Sequence, residues 1–84
     1  MKITFKLYAT FSDYLPDAAR KTNALALDVE DGVTVAALIE RYKLPPGQCH
    51  LVLIDGVFVP PQQRSGRILR AGETLAIWPP VAGG

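Results

Sequence analysis

Two stretches that alternate residue by residue, followed by one that repeats like a helix, constrain this chain more than any other feature. In "KITFKLY", Ile3, Phe5 and Leu7 interleave with Lys2, Thr4 and Lys6, the period-two pattern of a strand with one buried face. "ALALDVE" repeats that pattern through Leu25, Leu27 and Val29, and Asp31-Gly32 then supplies a turn. In "VTVAALIERYKLPPG", Val35, Leu38, Ile39 and Tyr42 fall at i, i+3, i+4 and i+7, the spacing of an apolar helix face. Thr34 is placed to cap the first free amides, Val33 and Leu38 to staple the helix start, and Pro45-Pro46-Gly47 to end it.

The later segments complete the pattern. "HLVLI" is continuously apolar, as expected of a central strand covered by the helix on one face and partly shielded on the other. Asp55-Gly56 predicts a tight hairpin into "VFV". After the polar loop "PPQQRSGR" and a turn at Gly72, the last strand points Leu75 and Ile77 inward. The stretch "TFSDYLPDAARKT", interrupted by Pro16, predicts one or two short helical turns and a loop inside the first hairpin. The expected fold is α+β: a β-grasp with a mixed sheet of four to five strands packed against one main helix, the last strand beside the first. Residues 1–78 form that domain, and 79–84 form an extended tail ending in Gly-Gly.

Composition excludes several functions. The chain has 84 residues and a net charge of +1, with its nine Lys and Arg scattered from Lys2 to Arg70. A nucleic-acid surface needs clustered cations, so none is expected. Within "RSGR", Arg64 and Arg67 are taken as parts of a solvated turn. No apolar run approaches the roughly 18 residues of a membrane span, and the opening residues do not match a signal peptide, so a cytoplasmic protein is expected. The single cysteine allows no internal disulfide and no multi-thiolate metal site. Cys49 adjoins His50, but neighbours in a strand point to opposite faces. Cys49 is therefore expected to be a half-buried small hydrophobe and His50 a polar strand-edge residue. The carboxylates fall mostly in turns and on helix surfaces, and no pair is spaced as a general acid and base.

Two features carry chemistry. Tyr8, Phe58 and Trp78 fall on the phase opposite the inward residues of their strands, which puts three aromatics on the sheet face away from the helix. An exposed aromatic patch of this kind marks an interface; covered by the Pro-rich loop and the segment after Tyr8, the same rings would form a minor core. The second feature is the ending "AGETLAIWPPVAGG".

A β-grasp pattern with that ending resembles the MoaD/ThiS family of ubiquitin-like sulfur carriers, whose last strand runs into a PPV-x-GG tail. The resemblance implies that the reactive group is the chain's own C-terminal carboxylate, on Gly84 preceded by Gly83. An ATP-dependent adenylating enzyme, MoeB/ThiF-like, would activate it using ATP and magnesium, and a sulfur donor protein would replace the AMP. The resulting thiocarboxylate would pass its sulfur to an acceptor enzyme such as the molybdopterin synthase large subunit. The chain itself binds no cofactor or metal in this scheme and has no catalytic site of its own; it acts as the sulfur-carrying small subunit or co-substrate. Position by position, the resemblance to the molybdopterin branch implies that Tyr8, Phe58 and Trp78 fall where that subunit's apolar partner contacts lie, and that Pro79, Pro80, Val81 and Ala82 lead the tail into the partner. Physical chemistry agrees with those residue types. Glycines let the backbone approach closely, and the two prolines pre-extend a tail whose six residues reach roughly 20 Å. The helical excursion and the PPVAGG ending resemble the molybdopterin branch, whereas "KLPPGQCHLVLIDG" is shorter than is common there. A thiamine-type carrier, a carrier for another pathway and a protein modifier conjugated through Gly84 remain alternatives, as does a plain β-grasp interaction module.

Overall fold

A computed structural model of the chain describes residues 1–80. Strand β1 (Lys2–Leu7) pairs antiparallel with β2 (Ala24–Asp28), aligning Phe5 with Leu25 and Ile3 with Leu27. The hairpin they form is interrupted by a 3-10 helix (Ala9–Tyr14) and one turn of helix α1 (Asp17–Arg20). Helix α2 (Val35–Arg41) crosses to β3 (Leu51–Ile54), which turns into the two-residue β4 (Val57–Phe58). Strand β5 (Thr74–Trp78) then lies parallel to β1 and antiparallel to β3. The sheet order is β2-β1-β5-β3-β4. This is the predicted β-grasp, with β5 rather than β3 in the middle.

The alternating residues meet as their periods require. Phe5, Leu7, Leu75, Ile77, Val52 and Ile54 all point to one face and are buried there with Val35, Leu38 and Leu69. Each such side chain contributes about 1.5–3 kcal/mol by leaving water. Phe5 also packs a ring against Tyr42, with centroids 4.8 Å apart. The Thr34 hydroxyl accepts from the Ala37 amide at 3.1 Å, the expected cap. Asp55 and Gly56 have φ of 49° and 83°, the pair of positive values that a two-residue hairpin turn needs to match strand twist.

Three sequence expectations are corrected. The helix stops before Pro45: Lys43, at φ 59°, takes the left-handed position, and the Lys43 and Leu44 amides donate to Glu40 and Ile39 carbonyls. Those two bonds close the helix end as a glycine would, without one. Cys49 is fully rather than half buried, at 4% exposure. The "RSGR" segment is a turn with Ser65 and Gly66 exposed, but its first arginine is not solvated with them. Arg64 is 7% exposed, and its Nε and Nη1 donate to the Val59 and Cys49 carbonyls at 3.1 and 2.7 Å. The short 3-10 helix Pro61–Gln63 turns that side chain inward, where it ties the exit of β4 to the entry of β3.

Arg67, in the same segment, pairs with Glu73 at 2.7 Å, and the Glu73 carboxylate also accepts from the Arg70 amide. The Arg67 hydrogen bond, helped by the Arg70 amide and opposed by burial, holds Glu73 below its ordinary value of 4.5. A carboxylate lowered in the folded state stabilises the fold above its unfolded pKa, and that contribution is lost as pH falls through the folded one. The melting temperature is therefore expected to drop below about pH 4.5 more steeply in the wild type than in Glu73→Gln, as measured by thermal denaturation across pH. Parallel curves would contradict the assignment.

Candidate functional site

The face of the sheet turned away from α2 is built by the other half of each alternation. Across the strands, Lys6, Ala76, Leu53 and Phe58 form one row, and Trp78 stands beside Leu51 in the next. Tyr8, two residues beyond Lys6, continues the same phase. The rings of Tyr8 and Trp78 stack with centroids 4.2 Å apart and planes 3° from parallel. Phe58 is 48% exposed on the edge strand. Its strand lies two spacings from β5, about 10 Å away, with half-buried Leu51 and Leu53 between them.

The structure thus joins Tyr8 to Trp78 directly and puts Phe58 at the far end of one apolar strip. Leu51 and Leu53 belong to that strip and were missed in the sequence. Their signal was the in-phase spacing with Phe58 and Trp78 that the continuous run "HLVLI" concealed.

The strip ends where the chain leaves the sheet. The Tyr8 amide donates to the Ile77 carbonyl at 3.2 Å, and the His50 amide to the Trp78 carbonyl at 3.0 Å. The last carbonyls of β5 are therefore held by strands on both sides. Pro79, buried, and Pro80, exposed, follow immediately. Neither has an amide hydrogen, so neither can donate to a strand ladder, and each ring fixes its own φ. Val81, Ala82, Gly83 and Gly84 lie outside the described residues.

Other candidate groups lack the geometry for chemistry. Burial pushes the Cys49 thiol up, away from the thiolate a nucleophile needs, and His50 is exposed. Among the described residues no group of three or more His, Cys, Asp or Glu could hold a metal, and no helix is long and apolar enough to cross a membrane.

The sequence model of the ThiS family matches residues 14–84. No curated protein matches the chain. Among solved structures the chain is similar to SAMP1 from Haloferax volcanii, at 24% identity over 100% of both chains with a TM-score of 0.61. It is also similar to a Pyrococcus furiosus protein described as molybdopterin converting factor, subunit 1, at 19% identity over 96% of this chain and 99% of that one, with a TM-score of 0.68. At these identities the likeness to solved structures establishes the β-grasp, ubiquitin-like fold.

Proposed function

The chain belongs to the ThiS family, and from that premise we propose that it is a sulfur carrier whose Gly84 carboxylate is adenylated and then converted to a thiocarboxylate. The observation that carries this reading is the position of the tail root. Pro79-Pro80 leave the middle strand beside the stacked Tyr8 and Trp78, so one partner can grip the apolar strip and receive the tail together.

A carboxylate is a poor electrophile until one oxygen becomes part of a leaving group. In the proposed cycle a Gly84 oxygen attacks the α-phosphorus of ATP in a MoeB/ThiF-like enzyme, and pyrophosphate departs. A sulfur at the oxidation level of sulfide then attacks the acyl carbon and AMP leaves, carrying that oxygen. The terminus now bears C–S where it bore C–O. Magnesium and ATP belong to the activating enzyme, and the sulfur passes on to an acceptor.

Molybdopterin synthesis is the favoured pathway. The helical excursion between β1 and β2 and the PPVAGG ending support it, as does the likeness to the P. furiosus protein. A thiamine-type carrier or a modifier would need the same activated terminus. ATP–pyrophosphate exchange by the activating enzyme is expected only when this chain is present; no exchange with an enzyme active on its own carrier would reject the proposal. Immunoblots of cell lysate are expected to contain one free species, and a ladder of conjugates would favour the modifier.

A further inference from the structure

Among the described residues Arg64 is buried without a counter-charge. Two of its nitrogens reach carbonyls, but Nη2 is buried with no hydrogen-bond partner among the described residues. None of the ion pairs among those residues includes it. Burial pushes the guanidinium below its ordinary pKa, and the group beside it that could bear a negative charge, the Cys49 thiol, is itself pushed up by burial and stays neutral. Buried cations are ordinarily paired, and a buried donor left unpaired calls for an explanation.

Arg64 also lines a groove of about 680 Å³ over Ile39, Leu44, Pro45, Pro46 and Pro61, within the roughly 300–1,000 Å³ typical of binding pockets. Three of those five residues are prolines and contribute no amide donor. The side-chain charges at the groove are Arg64 and Lys43 against Glu40, a net positive site. Its lining comes from α2 and the loops beyond it and from no strand, whereas Tyr8, Trp78 and Phe58 occupy the opposite face of the sheet.

We propose that this groove docks an extended segment of a partner protein that carries an aliphatic side chain next to a carboxylate. The aliphatic group covers Ile39 and Leu44, and the carboxylate takes the free donor of Arg64. A carboxylate there supplies both the missing acceptor and the missing charge, in surroundings where charge-assisted hydrogen bonds are strong. Nη2 is buried in the free chain, so seating the carboxylate requires the Arg64 side chain or the adjoining exposed Ser65-Gly66 turn to move. Docking at this face leaves the strip beside the tail root uncovered, so a second partner can be held while the tail is engaged. The inference does not depend on the sulfur-carrier role.

The test is an NMR titration of the full chain with an acetylated, amidated hexapeptide of leucines around one glutamate. Saturable amide shifts are expected at Ala36, Lys43, Ser65 and Gly66, with affinity about tenfold lower for the glutamine counterpart and for Lys43→Glu. The peptide change leaves the protein intact, so the test survives if Arg64→Met fails to fold. Equal affinity for the two peptides, shifts confined to the Tyr8–Trp78 face, or no saturation at millimolar peptide would overturn the proposal. So would octanoate reproducing the shifts when the peptide produces none, which would make the groove a site for small amphiphiles.

Discussion

Deleting Gly84 is expected to abolish adenylation while leaving the melting temperature within about 1 °C of the wild type. The shortened chain still ends in a carboxylate, on Gly83, but that carboxylate is set back by about 3.5 Å, one residue of extended chain. Misplacing a reacting group by 1 Å can cost about a hundredfold in rate, so a full residue removes turnover rather than slowing it. Stability should hold because the apolar core closes with Leu75 and Ile77, ahead of the tail. Pyrophosphate release and thermal denaturation, measured on the same preparation, test both halves. Continued turnover would place the chemistry elsewhere, and a large fall in melting temperature would assign the tail a structural role.

Replacing Trp78 with alanine is expected to have the next largest effect, on partner binding. Trp78 stacks on Tyr8 at the point where the chain leaves the sheet, and Leu51 and Leu53 extend the apolar surface toward Phe58. Central aromatics of this kind typically cost 2 kcal/mol or more when truncated, about a 30-fold loss of affinity. The side chain is only half-buried in the free protein, so the fold should persist with a modest drop in melting temperature. Titration calorimetry against the activating enzyme should give a dissociation constant raised by about that factor. A value within about twofold of the wild type, well under 1 kcal/mol, would remove the strip from the interface. Phe58→Ala, at the far end of the strip, should weaken binding less.

The parts of the fold that were legible in the sequence were those fixed by short-range rules. Alternation at Ile3, Phe5 and Leu7 set the face of β1, Thr34 marked the start of α2, and Asp55-Gly56 marked the hairpin. Where long-range packing decided, the sequence was silent or misleading. Lys43 accepts a left-handed conformation because two hydrogen bonds to the helix end hold it there, although nothing in a lysine advertises that. Arg64 looks like a solvated loop residue until the Pro61–Gln63 turn brings it to the Val59 and Cys49 carbonyls, at the exit of β4 and the entry of β3. Leu51 and Leu53 were hidden by apolar neighbours on both sides, since a continuous run does not say which half faces out.

The candidate site divides in the same way. Tyr8, Phe58 and Trp78 could be assigned to one face by phase alone, because period two needs no tertiary information. The stacking of two of them, and the pinning of the Ile77 and Trp78 carbonyls by Tyr8 and His50, required the register of three strands. Pro79 and Pro80 announced the end of the ladder in the sequence because proline cannot donate.

Intact-mass spectrometry of the full chain, after incubation with the activating enzyme, ATP and a sulfur donor, tests the central claim most directly. The account predicts a mass gain equal to one oxygen replaced by one sulfur, localised to Gly84 by fragmentation and absent when ATP is omitted. An unchanged mass with an enzyme that loads its own carrier under the same conditions would contradict it.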